Sequence, residues 1–543
     1  MNRAKGLLLT LFFCSNASFI CAQQYHFEQL NQVRRLRLYS PAYQDTFPTL
    51  HTAIRPLSRR QMDTLTGAAS QLPSVPPQKG WFGRKWQAEH LVDVQKKDFS
   101  FQINPVVNLQ GASSSTEEDF IYRNDVGLTV EGTIGEKFSF SSTYIEGQGI
   151  YPQYIRDFIG TRRVVPGYGL GTKSFGDRGG RFFTFPAGEI TFAPNKHFTF
   201  TAGQGKNFFG EGYRSMFLSD AAFNYPFFRI ETSVGRVRYV NLWAQMNDVR
   251  PQVSRNLSGD VVFAKKFLSS HYLSINVTPR WNISFFEAII IADSAQQRGL
   301  DASFFNPVIF YRPVEFAVGS GQGNALIGAG SSYKFHNGWQ AYGQFMLDEF
   351  VSEEIFKARG SWVNKFGWQL GVKKFDFIIP GLFAQAEYNT ARPYTYSHRR
   401  VLTNYGHYGQ PLAHPWGANF RETVVRFIYQ HRRWEGELTL NWGQMGLDTK
   451  GENWGSDIYQ SYLTRQRDLG NFIAQGNRAD VLLLHARTAF LVNPTTGLKA
   501  EAGLRWRDYQ TDVTEATRPF NSADNLYIYI GLRTEFLNEY WDF

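Results

Sequence analysis

Three histidines fall within one Tyr-rich stretch of the sequence, and their side chains have the chemistry of metal ligands. They are His398, His407 and His414. Imidazole binds several transition metals, so a trio of this kind suggests a metal site. Their spacing matches no standard metal-binding pattern, however, and histidines are common in loops. We therefore predict that the chain has neither a metal site nor a cofactor.

The same stretch is rich in flat aromatic rings and in amide groups. A sugar ring offers apolar faces to aromatic side chains and hydroxyls to polar ones, so this composition favours carbohydrate binding. The alternative is that these residues pack the loops into a lid. The candidate glycan-binding residues are Tyr394, Tyr396, His398, Asn404, Tyr405, His407, Tyr408, His414, Trp416 and Asn419.

A second set of polar residues is expected to hold loops in place. Asp348 and Glu349 stand where a strand should emerge into a loop, and they either bind Ca²⁺ or pair with Arg312. We expect pairing or loop anchoring rather than calcium binding. The predicted polar network of lumen and loops comprises Lys206, Glu211, Arg214, Asp220, Asn306, Arg312, Glu315, Asp348 and Glu349.

No catalytic constellation is found in the sequence. It has no H-E-x-x-H motif, no Walker loop and no nucleophile elbow. Arg3 and Lys5 precede an apolar run and a small-residue site near Ala22, which is typical of a signal peptide over residues 1–22. Both cysteines, Cys14 and Cys21, lie in this leader, so its removal leaves no thiol for catalysis. We predict an exported protein that is not an enzyme.

These candidates lie between segments in which polar and apolar residues alternate. In one of them Leu526, Ile528 and Ile530 lie on one side of a strand, and Tyr527 and Tyr529 on the other. A period of two predicts strands, and an apolar row opposite a polar row suits a barrel wall between lipid and an aqueous lumen. The pattern recurs about 18 times, and an even number is expected of a single-chain barrel. We therefore predict an all-β fold, a transmembrane antiparallel β-barrel over residues 98–543.

The end of the last strand departs from this pattern. Residues 537–543 follow its final apolar residue, Phe536, and Phe543 has the wrong parity to continue the apolar row. We expect the last strand to be longer than the alternation shows, or bulged.

Short and long connections alternate along the chain. Turns such as those at Gly135 and Pro279 alternate with long Gly- and Tyr-rich stretches such as 147–186 and 391–421. This segregation is typical of bacterial outer-membrane barrels, whose short turns lie in the periplasm and whose long loops lie at the cell surface. We also expect an aromatic girdle at the membrane interface, formed by residues that each follow a short turn: Phe138, Phe198, Trp281, Trp339 and Trp434.

Residues 23–97 lack the alternation and form a separate periplasmic segment. Residues 28–37 and 58–70 are predicted short helices, and the Pro-rich residues 72–80 follow. This segment is a candidate plug of the barrel, since large barrels are often plugged.

The net charge of +10 does not predict a nucleic-acid partner. The sequence has 57 Lys and Arg residues against 47 Asp and Glu residues, and the excess is spread over turns and loops. Outer-membrane lipid is the expected partner.

Several motifs resemble the capsule-assembly Wzi-like family of outer-membrane proteins, and within it the gliding-motility RemB group. They are HTAIRP at residues 51–56, GKNFFGEGYRS at 205–215, FNPV at 305–308 with Arg312 and Glu315, YTYSH at 394–398, and PLAHP at 411–415. The resemblance implies an 18-stranded barrel closed at its periplasmic end by helices. It also implies a non-enzymatic role, either in attaching capsular polysaccharide or in the gliding machinery.

Two functions of different classes follow from the sequence. The first is a binding protein for capsule or exopolysaccharide, or for cell-surface gliding motility, with surface polysaccharide and gliding or secretion proteins as candidate partners. The alternative is a porin-like channel for small solutes, because a barrel of this size is wide enough for an aqueous pore unless it is plugged.

Overall fold

Eighteen antiparallel strands close into a single barrel in the computed structural model. The structure describes residues 30–58, 72–171, 173–250, 263–293, 302–310, 323–349, 351–511 and 524–543. The predicted leader, residues 1–22, lies outside the described residues, as does most of the predicted helix at 58–70. The strands are β1 (Phe99–Ser114), β2 (Ile121–Ile134), β3 (Phe138–Gly149), β4 (Gly180–Phe192), β5 (Phe198–Gly205), β6 (Tyr225–Val234), β7 (Val237–Asp248), β8 (Ala264–Asn276), β9 (Trp281–Ala292), β10 (Gly323–Lys334), β11 (Trp339–Glu349), β12 (Lys365–Lys374), β13 (Leu382–Ala391), β14 (Phe420–His431), β15 (Trp434–Leu447), β16 (Asn477–Asn493), β17 (Leu498–Thr511) and β18 (Asn525–Thr534).

The alternation of the sequence sets the two faces of the wall. In β18, Leu526, Ile528 and Ile530 are exposed on the outside, whereas Tyr527 and Tyr529 are buried on the inside. Because successive side chains of a strand point to opposite faces, each strand has one row of side chains outside the barrel and one row facing the lumen. The lumen row is not polar in every strand, since Val240, Leu242 and Met246 of β7 are buried inside. The predicted barrel and its strand count are confirmed.

Apart from residues 115–120, which connect β1 and β2 at the other end, the short connections of the barrel lie at one end. They are residues 135–137, 193–197, 235–236, 277–280, 335–338, 375–381, 432–433 and 494–497. Gly135 has φ of 59° at the first position of its turn, a left-handed conformation that glycine adopts without steric cost. The five predicted girdle residues are each the first residue of a strand and each is exposed, so they form a ring around this short-turn rim.

Among the described residues, four short α-helices lie outside the wall strands. They are α1 (Gln32–Gln44), α2 (Trp81–Gln87), α3 (Gln153–Arg162) and α4 (Ser352–Phe356). Helix α1 begins later and runs further than the predicted helix at 28–37, and α2 and α3 were not predicted. Within the described ranges, no helix is both long enough and apolar enough to cross a membrane.

Helix α1 crosses the short-turn mouth of the barrel. Its Arg37 donates to the backbone carbonyl of Arg432 (2.6 Å) and pairs with Glu435 (2.8 Å), and the Val33 carbonyl accepts from Gln430 (3.0 Å). On the other side of the mouth, the Asn276 amide donates to the carbonyls of Pro48 and Leu50. These bonds tie one segment to turns that are distant in sequence.

The chain then enters the lumen, where it meets a loop that descends from the opposite end. Ile54 and Arg55 pair in antiparallel fashion with Phe209 and Phe208 of the β5–β6 loop, residues 206–224. Phe209 stacks on the lumen-facing ring of Tyr272 with centroids 4.8 Å apart. The lumen is therefore occupied by protein from both ends.

The last residues also lie in the lumen rather than in the wall. Strand β18 ends at Thr534, and residues 535–543 turn inward. Phe543 packs against Tyr154 and Phe158 of α3. The expectation of a longer or bulged last strand is wrong. Phe543 does not follow the alternation because the chain has left the wall before it reaches this residue.

Candidate functional site

The N-terminal segment and the β5–β6 loop are joined around one buried carboxylate, that of Glu211. It accepts from the Thr52 hydroxyl and from Lys373 (2.9 Å), and Arg55 donates to the Glu211 carbonyl (3.1 Å). Burial opposes ionisation, but Lys373 and Arg55 outweigh it and lower the pKa of Glu211 to about 2. As an anion, Glu211 of the β5–β6 loop therefore binds both the wall, through Lys373, and the N-terminal segment, through Thr52 and Arg55.

A second buried junction is built around Arg214. Its guanidinium donates to Glu422 (2.7 Å) and pairs with Asp542 of the tail (3.0 Å). Glu422 also accepts from His414 Nε2 (2.6 Å), while His414 Nδ1 accepts from the Trp416 backbone N–H (3.1 Å). Burial lowers the pKa of His414, which suits this neutral, singly protonated ring. Arg214 therefore joins the β5–β6 loop, the wall, the β13–β14 loop and the tail.

The tail is held by a cage of arginines. Glu539 pairs with Arg123 (2.6 Å), Arg533 (3.3 Å) and Arg505 (3.8 Å), which come from three different wall strands. Burial opposes the ionisation of Glu539, but the three guanidinium groups hold its pKa well below its usual range. None of these four residues was among the predicted site residues.

Lys206 and Asp220 anchor the two ends of the β5–β6 loop. Lys206 Nζ donates to the carbonyls of Gly167 (2.8 Å) and Asp220 (3.0 Å). The Asp220 carboxylate accepts from Tyr540 (2.7 Å) and Asn538 (2.8 Å) of the tail. The four predicted residues of this loop are all buried, but each has its own partners, so they do not form one cluster.

Asp348 and Glu349 both pair with Lys365, at 3.4 Å and 3.2 Å. The Asp348 carboxylate also accepts from the backbone N–H of Tyr396 (2.8 Å). This agrees with the expected role in pairing and loop anchoring. The predicted partner Arg312, together with Glu315, lies outside the described residues.

Asn306, a predicted member of the polar network of lumen and loops, lies in the loop between β9 and β10 and apart from the lumen. Residues 302–310 lie on the outer wall, where Trp243 Nε1 donates to the Phe304 carbonyl (3.0 Å) and the Tyr239 hydroxyl donates to the Pro307 carbonyl (2.6 Å). Asn306 exchanges hydrogen bonds with the backbone of Val308. Outward-facing donors on β7 satisfy the carbonyls of this irregular segment and so draw it to the outside.

The predicted glycan-binding aromatics are buried in the β13–β14 loop, residues 392–419. Tyr394, Tyr396, Tyr405 and Trp416 are each at most 1% exposed. The Tyr396 hydroxyl donates to the Met216 carbonyl (2.8 Å), and Trp416 Nε1 donates to the Asp542 carbonyl (3.1 Å). Packing into a lid accounts for these contacts, and contact with a glycan stays a prediction that would require the lid to open.

The remaining predicted residues of this loop also bond within the protein. Asn404 accepts from Lys266 Nζ through its carbonyl (2.8 Å) and its side chain (2.5 Å). Asn419 Nδ2 donates to the carbonyls of Gly446 and Gln475. The half-buried Tyr408 bonds through its backbone N–H to the Asn247 carbonyl (2.9 Å).

The three histidines of this loop do not converge. His398 Nδ1 bonds to the Thr403 hydroxyl (2.6 Å), and His407 Nδ1 accepts from the Asn247 N–H (3.0 Å). Burial lowers the pKa of His398 to about 4 and that of His407 to about 3, so both rings are neutral at pH 7. No group of three His, Cys, Asp or Glu side chains among the described residues is arranged to hold a metal ion.

A different set of aromatic residues is accessible at the long-loop end. Arg467 lies over the rings of Trp454 (5.4 Å) and Phe472 (5.5 Å), and Arg465 lies over Trp362 (4.1 Å). Phe472 is exposed, and the other four side chains are half-buried. We call these five residues the aromatic–arginine surface. Sequence reasoning missed them, although two tryptophans in long polar loops were a usable signal.

Comparisons with known proteins identify proteins that share the fold of this chain. No protein-family model matches the sequence, and no curated protein matches it either. Among solved structures the chain is similar to Wzi, titled an outer-membrane protein involved in group 1 capsule assembly in Escherichia coli and a carbohydrate-binding β-barrel. The two share 13% identity over 95% of this chain and 100% of Wzi, with a TM-score of 0.53. The likeness shows the fold.

The chain is also similar to OprD from Pseudomonas aeruginosa, with 10% identity over 82% of this chain and 96% of OprD and a TM-score of 0.41. The match to Wzi supports the architecture that the family resemblance implied. The RemB relationship stays a prediction.

Proposed function

We propose that this protein is a plugged, non-enzymatic outer-membrane barrel that holds polysaccharide at the cell surface. In this proposal the short turns face the periplasm and the long loops face outward. The observation that carries it is the aromatic–arginine surface at the long-loop end of a barrel whose lumen is filled. Aromatic faces and guanidinium groups together suit an acidic glycan, because the rings pack on sugar faces while the cations pair with carboxylates. The fold shared with Wzi supports the same class of ligand.

The filled lumen weighs against the alternative of an open porin. The N-terminal segment, the β5–β6 loop and the tail occupy the space that solutes would cross, and Arg214 is 1% exposed where this loop meets the tail. A porin needs a continuous aqueous path. The inner segments would have to move before this barrel could conduct.

We expect Trp454→Ala and Phe472→Ala each to weaken the binding of an acidic polysaccharide about tenfold, which corresponds to ~1.4 kcal/mol. Each substitution removes a ring that stacks with Arg467. The measurement is titration of purified protein in detergent with the polysaccharide. Leu463→Ala, an exposed aliphatic position in the same loop, is the matched control and should bind normally.

Tyr396→Phe distinguishes glycan binding at the aromatic–arginine surface from glycan binding at the residues of the β13–β14 loop that the sequence predicted. The substitution removes a hydroxyl that is buried within the lid formed by the β13–β14 loop, and it should leave glycan affinity unchanged. Loss of binding in Tyr396→Phe, with normal binding in both surface variants, would move the site to the lid.

A capsule role and a gliding role predict different phenotypes for a deletion strain. We expect deletion of the gene to release polysaccharide from the cell surface without affecting colony spreading. The assays are cell-bound against free polysaccharide and spreading on soft agar, with the intact gene restored as control. Defective spreading with normal capsule would instead favour a partner in the gliding or secretion machinery, and two normal results would contradict both roles.

A further inference from the structure

Helix α2 carries three large aromatic side chains that are exposed in the described part of the chain. Trp81 is 60% exposed, Phe82 is 70% exposed and Trp86 is 41% exposed. At 100° per residue these three side chains and Lys85 lie on one side of the helix. Phe82 and Trp86 stack with ring centroids 6.0 Å apart. Such a cluster marks a surface that meets something apolar.

The helix is fastened to the short-turn rim of the barrel by its backbone. Asn493 donates to the carbonyls of Lys85 (3.0 Å) and Glu89 (3.1 Å), and the Thr495 hydroxyl donates to the Ala88 carbonyl (2.6 Å). Asn493 ends β16, and Thr495 belongs to the turn that follows. The helix therefore has a fixed position at this rim.

The residues after the helix join the barrel wall at the same level. Val92–Gln95 pairs with residues 100–103 of β1, along the edge that β18 leaves free after the pair Arg533↔Asn108. His90 bonds to Asn104 of β1 (3.1 Å). A short strand thus completes the wall beside the helix.

The exposed aromatics of α2 continue the aromatic girdle of this rim. Trp434, a girdle residue, contacts Phe490 of β16 (5.0 Å), three residues before the Asn493 that holds the helix. Aromatic side chains at such a girdle sit at the headgroup level of the bilayer, where their rings are apolar on one side and hydrated on the other.

The charge around α2 suits the same environment. Residues 79–97 contain five basic side chains and two acidic ones. Arg84 and Lys85 pair with Glu89, whereas the exposed Lys79, Lys96 and Lys97 extend the basic character. Basic residues beside an aromatic helix face favour binding to an anionic lipid surface.

We propose that α2 is an interfacial anchor that inserts Trp81, Phe82 and Trp86 into the lipid headgroup layer beside the short-turn rim. The anchor fixes the start of the wall to the bilayer. It also keeps the N-terminal segment positioned at the short-turn mouth that this segment closes. The inference rests on the proposed residence of the barrel in a membrane.

The test places a fluorescent label at single cysteines in the full chain. With Cys14 and Cys21 replaced by Ser, the label is attached at Phe82→Cys on α2, at Leu440→Cys on the outer wall, or at Phe472→Cys on a long loop. The protein is reconstituted into vesicles of phosphatidylethanolamine and phosphatidylglycerol that carry a shallow spin-labelled lipid. We expect the labels at 82 and 440 to lose emission to the lipid quencher, and the label at 472 to lose emission only to aqueous iodide.

A second variant tests whether the aromatic face itself is responsible. Trp81→Ser with Trp86→Ser, in the Phe82→Cys chain, should reduce lipid quenching at 82 and increase iodide quenching there. Quenching at 82 by iodide alone, while 440 is quenched by lipid, would overturn the anchor and leave the membrane barrel standing. Shielding at 82 from both quenchers would assign the face to a protein contact and also overturn it. Absence of lipid quenching at 440 would overturn the membrane residence on which the anchor rests.

Discussion

Replacing Arg214 by alanine is expected to destabilise the filled lumen by about 3–5 kcal/mol, because it leaves Glu422 and Asp542 buried without their shared cation. Arg214 and Glu422 are both fully buried at their contact. Their charges cannot be rehydrated without opening the junction of loop, wall and tail. We expect the wall strands to survive, since their backbone pairing does not depend on this side chain.

Two measurements distinguish destabilisation of the segments in the lumen from destabilisation of the barrel wall. Limited proteolysis reports release of the β5–β6 loop and the tail, and heat-modifiable migration on gels reports whether the barrel itself is intact. Arg214→Lys should recover only part of the stability, because an ammonium group lacks the planar fork that serves two carboxylates. Lys357→Ala is the control, since its partly exposed pair with Glu353 contributes at most about 1 kcal/mol.

Normal protease resistance in Arg214→Ala would contradict the assignment of Arg214 as the junction of the inner segments. Loss of heat-modifiable migration would show that the wall, and not only the lumen, depends on it.

Acid is expected to open the barrel. The depressed pKa of Glu211, about 2, adds stability above its unfolded value near 4.5, and this stability is lost as the pH falls toward 2. Burial, assisted by Arg238, lowers the pKa of His51 to about 3, so the neutral ring also favours the closed state above pH 6.5. Its contribution is lost as the pH falls from 6.5 toward 3. Both groups join the N-terminal segment to the lumen, and both act in the same direction.

The measurement is single-channel conductance of the purified protein in planar bilayers as the pH is lowered. We expect a closed barrel at pH 7 and openings that become frequent as the pH falls from about 4 toward 3, where His51 has lost most of its contribution and Glu211 about half of its own. His51→Gln should remove the upper part of this dependence. Glu211→Gln should cause openings already at pH 7, because Lys373 and Arg55 then lack their carboxylate.

Steady porin-sized currents at pH 7 in the unmodified protein would contradict both this prediction and the plugged barrel. A barrel that stays closed down to pH 3 would show that other contacts hold the N-terminal segment in place.

Part of the candidate site was predictable and part was not. The alternation correctly placed Tyr527 and Tyr529 on the inner face, and the pairing of Asp348 and Glu349 with a cation was expected. The partner Lys365 was not, because the register between neighbouring strands decides which side chain meets the two carboxylates. The tyrosines of the β13–β14 loop have the composition of a sugar-binding surface, yet composition does not reveal that Tyr396 points at Met216.

The sequence by itself determined the wall of this protein: the strands, their number, their faces, the short turns and the girdle. The physical reason is that a strand's face is set by a local period of two, which repeats in every segment and is enforced by lipid on one side and water on the other. Only the tertiary structure decided what fills the barrel. The contacts of Arg214 with Glu422 and of Tyr540 with Asp220 join residues hundreds of positions apart. These contacts depend on the paths of irregular segments, for which a sequence carries no periodic signal. They show that the lumen, which the sequence left open as a possible pore, is filled.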